Sequence, residues 1–200
     1  MTQRQEQKAH TRRAIFDVAL KLFAERGLMA TTTADIAEAA GVSHGSVFAH
    51  FRTRDELVEA VVNEVAGDIA TQVRRSSASK RSVRDVLAAH LESLAKYEKI
   101  YTRFVLEGPF LPRRAQRALV GIQSAIASSL EEALELERSQ DTVRDVPTDV
   151  AFNLWIGTLH HYLANRDLFA PRGSVIASVG PRLLEHYTGL LAAPRTRRGS

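Results

Sequence analysis

The sequence predicts an all-α protein on three observations: apolar residues recur at helical spacing throughout, two short helices with matched capping signals lie near the start, and neither a strand pattern nor an internal repeat appears. With 200 residues, 44% of them apolar, the chain can bury a full core as one unit or two. Cysteine is absent. That excludes disulfides and thiolate metal sites and fits a reducing, cytoplasmic setting. The opening MTQRQEQKAHTRR is polar and basic with no apolar core, and no run approaches the roughly 18 apolar residues of a membrane span, so neither export nor insertion is expected.

Taken in order, residues 12–27 place Ile15, Ala19, Leu22 and Phe23 on one helical face, ended by Gly27. Thr32 followed by Asp35 is a capping-box pattern ahead of an apolar run, so a second helix starts there. Ile36, Ala37 and Ala40 form its inner face. Gly41 follows where the chain must turn left-handed, and Ser43 caps a third helix with Val47 and Phe51 inward and His44, Gly45, Phe48 and Ala49 towards the other side. Thr53 and Glu56 form a further capping pattern opening a fourth helix. Arg54 sits at that helix start, where its charge opposes the macrodipole and suits a phosphate better.

Helical spacing continues to the end. The fourth helix is expected through about residue 75, SSASKR (76–81) is a polar break, and Val83, Val86, Leu87, His90, Leu91 and Leu94 form the stripe of a fifth. A bend, a short helix over 101–107 and a stop at Gly108 and Pro109 come next. Residues 113–137 carry Leu119, Ile122, Ile126, Leu130 and Leu134 on one face; Pro147 opens a helix through about 165, and 173–191 shows the seam Ile176, Val179, Leu183, Tyr187, Leu190.

Two short helices joined by a tight turn over residues 32–51 have the spacing of a DNA-reading helix-turn-helix. Charge is distributed to match. Residues 1–54 hold eight Lys and Arg against five Asp and Glu, the tail from Arg195 adds three Arg, and the remainder is slightly acidic at 16 against 18. Such asymmetry is what phosphate binding asks of one domain.

On these residues the N-terminal part resembles the DNA-binding domain of the TetR family of bacterial transcriptional regulators, whose pattern runs from T-x-x-D-I-A through A-G-V-S-x-G to a closing F-x-x-[KR]-x-x-L. The likeness covers residues 12–57. Two departures stand out: Phe48 replaces a usual tyrosine, removing a phosphate hydrogen bond, and Arg54 replaces a usual lysine, keeping the charge. The resemblance implies that Ser43 to His50 enter the major groove, with His44 and Ser46 hydrogen-bonding base edges or phosphates, Gly45 permitting close approach and Ala49 touching a thymine methyl. Thr33, His50 and Arg54 would hold phosphates, Phe48 would pack on the sugar-phosphate backbone, and Lys8, Arg12 and Arg13 would add sequence-blind attraction.

The expected organisation is a helix-turn-helix DNA-binding domain at 1–54, a helical ligand-binding and dimerisation domain at 55–193, and a basic flexible tail at 194–200. The helix over 150–163 is apolar on more than one face, through Leu154, Trp155, Ile156, Leu159 and Tyr162, which suits burial against its own domain and against a second copy. A homodimer through the last two helices would match a palindromic site on double-stranded DNA. Tyr97, Tyr101, Phe104 and Phe110 cluster near the Gly108-Pro109 break, and Phe152, Asn153, Trp155 and His160 lie on the helix expected to face them, an aromatic chamber for a small apolar or aromatic effector. Enzyme chemistry is not expected, nor is a metal or cofactor. His160 and His161 point about 100° apart on a helix and cannot share an ion, and no nucleophile elbow, P-loop or dinucleotide fingerprint is present. The reading is a ligand-responsive repressor released from its operator by the effector; an activator of the same family, or a helical small-molecule carrier that does not bind DNA, are the alternatives.

Overall fold

The computed structural model describes residues 2–79 and 82–194, with residues 76–79 as backbone alone. Lys80 and Arg81 of the polar break, and the basic tail from Arg195, lie outside the described residues. The described elements are α1 (Gln3–Arg26), α2 (Thr33–Ala39), α3 (His44–His50), α4 (Arg54–Ser79), α5 (Val83–Glu107), a 3-10 turn over Gly108–Phe110, α6 (Arg113–Ser139), α7 (Thr148–Ala164), α8 (Arg166–Phe169) and α9 (Val175–Leu191). No strand forms among them. One isolated antiparallel bridge, Val143 with Ala192, ties the α6–α7 loop to the end of α9.

The chain folds as two compact units, the first made of residues up to Ala66 with Lys99–Val120, the second of Gly67–Glu98 with Gly121 onward. In the first, α1 begins at Gln3 rather than near residue 12, because the Gln5 amide oxygen accepts the Thr2 N–H at 2.9 Å and starts the helix early. Ile15, Ala19, Leu22 and Phe23 are its buried face, as their spacing requires. Helix α2 packs on both α1 and α3. Ile36, Ala37, Val47 and Phe51 close the core between them with Leu57, Val61 and Val65 of α4.

The α1–α2 loop is held from several sides. Gly27 takes φ +98°, a conformation side chains resist, and a Cβ there would stand 2.6 Å from Glu107 Oε1. Glu107 Oε2 accepts the Met29 N–H at 2.7 Å, and Arg103 donates to the Glu25 carbonyl at 3.0 Å. Thr31 is wholly buried and donates its hydroxyl to the Gly27 carbonyl at 2.7 Å. Arg54 completes the clasp, its Nε donating to the Thr31 carbonyl at 3.0 Å and its Nη2 to the Leu28 carbonyl.

Helix α5 differs from expectation, running unbroken through Glu107 with no bend after Tyr97. The segment YEKIY contains neither Gly nor Pro, and buried Ile100, Tyr101 and Phe104 extend the apolar face across it, so the first true break is the turn at Gly108 and Pro109. In the second unit α7, α8 and α9 pack on one another. Glu98 reaches the start of α9, accepting the Val175 and Ile176 N–H groups at 2.8 and 3.0 Å and the Ser174 hydroxyl, so a buried carboxylate satisfies donors that a helix start leaves unpaired. The inward seam of α9 is Val175, Ile176, Val179, Leu184, Tyr187 and Leu191; Leu190, expected within it, is 72% exposed. At Gly180 a Cβ would make an ordinary 3.5 Å contact with the Leu91 side chain, which places this stretch of α9 against α5.

The clasp makes Arg54 a stabilising residue. Arg54→Ala leaves the carbonyls of buried Leu28 and Thr31 without their donor, and the expected loss is about 1–3 kcal/mol in a urea unfolding titration, with Arg54→Lys retaining part of it. An unchanged unfolding midpoint in Arg54→Ala would remove the clasp from the account of stability.

Candidate nucleic-acid interface

The pair α2–α3 is set by its caps. Thr32 accepts the Asp35 N–H at 3.1 Å while the Asp35 carboxylate takes the Thr32 N–H at 2.8 Å and its hydroxyl at 2.6 Å, the reciprocal box expected from the sequence. These bonds, with Arg26 beside them, hold the Asp35 carboxyl below the usual carboxylate range. Gly41 turns left-handed at φ +65°, and Ser43 accepts the Ser46 N–H at 3.1 Å to start α3. Val47 and Phe51 anchor α3 in the core, so the opposite face is delivered to solvent: Ser43, His44, Gly45, Phe48 and Ala49 are exposed, and Ser46 and His50 half-buried.

That face carries its own internal order. The half-buried Thr33 hydroxyl and His44 Nε2 lie 2.9 Å apart, joining the first residues of α2 and α3, and the His44 ring meets Phe48 edge-on at 4.9 Å. His44 is therefore tied through Nε2, with Nδ1 outside that bond. Phe48 is 41% exposed, which places its ring on the surface as expected. Gly45 is required by nothing in the protein. A Cβ there would meet only Ser43 Oγ, at 4.0 Å, although glycine costs a helix about 1 kcal/mol relative to alanine. A glycine kept where the fold does not need one suits the close approach of another surface.

Of the cations expected near phosphates, several are engaged within the protein. Arg54, expected to hold a phosphate, turns its Nε and Nη2 to the Thr31 and Leu28 carbonyls of the protein itself. Arg12 stacks 3.9 Å over the Phe51 ring and donates to the His50 carbonyl, closing the C-terminal end of α3, while Arg13 pairs with Asp17 and Glu64 at 2.9 and 2.8 Å. Burial, with the Lys8 and Arg12 charges beside it, holds the His50 imidazole below the ordinary histidine range.

The residues expected to form one aromatic chamber are divided between the two units. Tyr101 and Phe104 are buried in the first, their rings 6.4 Å apart, and Phe110 of the same unit is 71% exposed. The second holds Tyr97, Phe152, Trp155 and His160. Tyr97 is half-buried with its hydroxyl donated to Asp68 at 2.6 Å beside Lys96, Phe152 and His160 are half-buried, and Trp155 is fully buried. Trp155 donates its indole N–H to His90 Nδ1 at 3.0 Å and meets the Tyr187 ring edge-on at 5.2 Å. His90 is a functional candidate that the sequence reading absorbed into an apolar stripe. The available signal was a histidine at a core position of a chain with a single tryptophan.

Among the described residues, no helix is long and apolar enough to cross a membrane, and no cluster of three metal-ligating side chains occurs. Residues 15–61 match the model of the bacterial regulatory proteins, tetR family. The transcriptional repressor KstR2 of Rhodococcus jostii (strain RHA1) is 29% identical over 153 residues, 76% of this chain and 65% of that protein. The repressor Rv3405c of Mycobacterium tuberculosis (strain H37Rv) is 42% identical over 83 residues, 42% of this chain and 44% of that one. The chain thus spans less than two thirds of the length of these curated relatives. Among solved structures, the regulator FadR of Bacillus subtilis in complex with stearoyl-CoA shares the fold at a TM-score of 0.72 and 19% identity, over 90% of this chain and 98% of that one. The capped pair α2–α3 and the residues around it thus make residues 15–61 similar to the bacterial regulatory proteins of the tetR family.

Proposed function

We propose that this protein is a dimeric DNA-binding transcriptional regulator, a repressor that leaves a palindromic operator when a small apolar or aromatic effector binds its helical body. The observation that carries the reading is the outward face of α3, where a tethered histidine, an exposed aromatic ring and an otherwise unneeded glycine lie together on a helix the size of a major groove. Residues 1–54 would supply the reading head and residues 55–193 the ligand-binding and dimerisation body. FadR of Bacillus subtilis, with stearoyl-CoA bound, supports a body of this fold that accepts a ligand with a long apolar chain.

A second copy would dock on α7 and α9. Val150 and Leu154 of α7 are 43% and 57% exposed and Leu190 of α9 is 72% exposed, while Gly157 and Gly189 beside them have nothing within 4 Å of a Cβ position. Large apolar side chains next to glycines on two packed helices suit a close isologous contact. Such a dimer supplies the two heads that a two-fold operator requires.

Site selection followed by gel shift on the selected DNA tests the main reading, and absence of any preferred sequence would sink it. His44→Ala is expected to relax preference at one position in each half-site at a cost of about 1–3 kcal/mol, and unchanged preference would reject His44 as a reader. Leu154→Asp with Leu190→Asp is expected to give a monomer by analytical ultracentrifugation and to lose most operator affinity; a persistent dimer would move the interface elsewhere. A phosphate against His50 would raise its lowered pKa, so binding takes up a proton and affinity rises as pH falls through the bound-state pKa towards the lowered value of the free protein. His50→Gln should flatten that slope of at most about one proton per subunit, and a slope unchanged by the substitution would show that another group titrates.

A further inference from the structure

His90 is fully buried on α5, and its two ring nitrogens are treated differently by the fold. An indole N–H can only donate, so the 3.0 Å bond from Trp155 obliges Nδ1 to accept and puts the hydrogen of the neutral ring on Nε2. That Nε2–H has no hydrogen-bond partner in the protein. Burial, with His160 nearby as a lesser cause, pushes the ring's pKa down to about 3, so it stays uncharged at every physiological pH. An unpaired buried donor costs about as much as a lost hydrogen bond, and a side chain that only accepted from Trp155 would avoid that cost.

Resting on the ligand-responsive reading above, we propose that His90 is the polar anchor of the effector site and that the effector is an uncharged apolar molecule whose ketone, ester or hydroxyl oxygen accepts the His90 Nε2 hydrogen. The surroundings select this class. Leu87, Leu91 and Leu94 flank His90 on α5, and Ile156 and Leu159 flank Trp155 on α7, all of them buried. One neutral donor among them cannot offset burial of a carboxylate or phosphate, and a cation would meet a donor where it needs an acceptor. The Trp155 bond fixes both the tautomer and the aim of the ring, so the donor is oriented before the ligand arrives.

The test uses the full-length ¹⁵N-labelled protein and two probes of nearly the same shape, acetophenone and α-methylstyrene, in which a carbonyl oxygen is exchanged for a methylene carbon. The His90 Nε2 and Trp155 Nε1 resonances report the site, the second without ambiguity because the chain has one tryptophan. Acetophenone is expected to move the Nε2 resonance and to bind at least about tenfold more tightly than α-methylstyrene. His90→Leu should abolish the preference, and His90→Gln, whose carbonyl accepts from Trp155 and whose amide donates, should keep most of it. Equal affinities in the wild type, a preference that survives in His90→Leu, or an Nε2 resonance unmoved by both probes would each overturn the proposal. If His90→Leu does not fold, the two-probe comparison in the wild type and in His90→Gln still decides. Gel shifts on the same proteins separate the two readings: wild type that grips its operator yet fails the probe test loses only the anchor, whereas wild type that selects no DNA loses the regulator reading itself.

Discussion

The short loop between α1 and α2 is the constraint on which the reading head depends. Its turn needs Gly27 at φ +98°, and its polar groups are then satisfied by side chains drawn from well separated parts of the chain: Arg54 for the Leu28 and Thr31 carbonyls, Glu107 for the Met29 N–H, and Thr31 for the Gly27 carbonyl. Buried backbone groups must find partners, and here nearly all the partners are charged, which makes the bonds stronger and their loss more costly. Because the loop fixes where α2 starts, it also fixes where α3 emerges and which of its faces meets solvent.

Stability and recognition are divided sharply along α3. Val47 and Phe51 are wholly inside, and Arg12 covers the Phe51 ring, so one side is committed to the core. The other side retains features that the fold does not reward, an exposed Phe48 and a glycine in a helix, and these are what a groove-reading surface needs. Several arginines that look like phosphate ligands in the sequence spend their donors on carbonyls and carboxylates. On the proposed reading, attraction to DNA would be carried by fewer groups than the basic composition suggests, with more weight on shape and close fit.

Local signals were legible and long-range ones were not. The caps at Thr32, Asp35 and Ser43, the helix stop at Gly27 and the left-handed turn at Gly41 follow from residues within a few positions of one another, and each stands in the structure as the sequence requires. The internal partners of Arg54 are main-chain carbonyls 23 and 26 residues away, which no side-chain pattern announces. Position 190 was assigned to the seam of α9 by hydrophobicity, yet Leu191 fills that place and Leu190 faces out, since periodicity alone cannot choose between adjacent leucines. His90 kept helical register with its apolar neighbours and so gave no sign of the indole across from it. Whether Phe110 is inside or outside likewise depends on the turn that follows α5, not on the cluster it belongs to in sequence.

The ring of bonds around Met29 also has a consequence in time. Residues 2–66 hold α1 to α3 and the first part of α4, but the carboxylate that accepts the Met29 N–H belongs to Glu107, and the unit is not covalently complete until Val120. At roughly 5–20 residues per second the head waits several seconds for its own keystone. Transplanting residues 2–66 onto an unrelated body therefore transfers the helices without Glu107 and Arg103, and the recipient must supply an acceptor for Met29 and a donor for Glu25 before the graft is equivalent to the original.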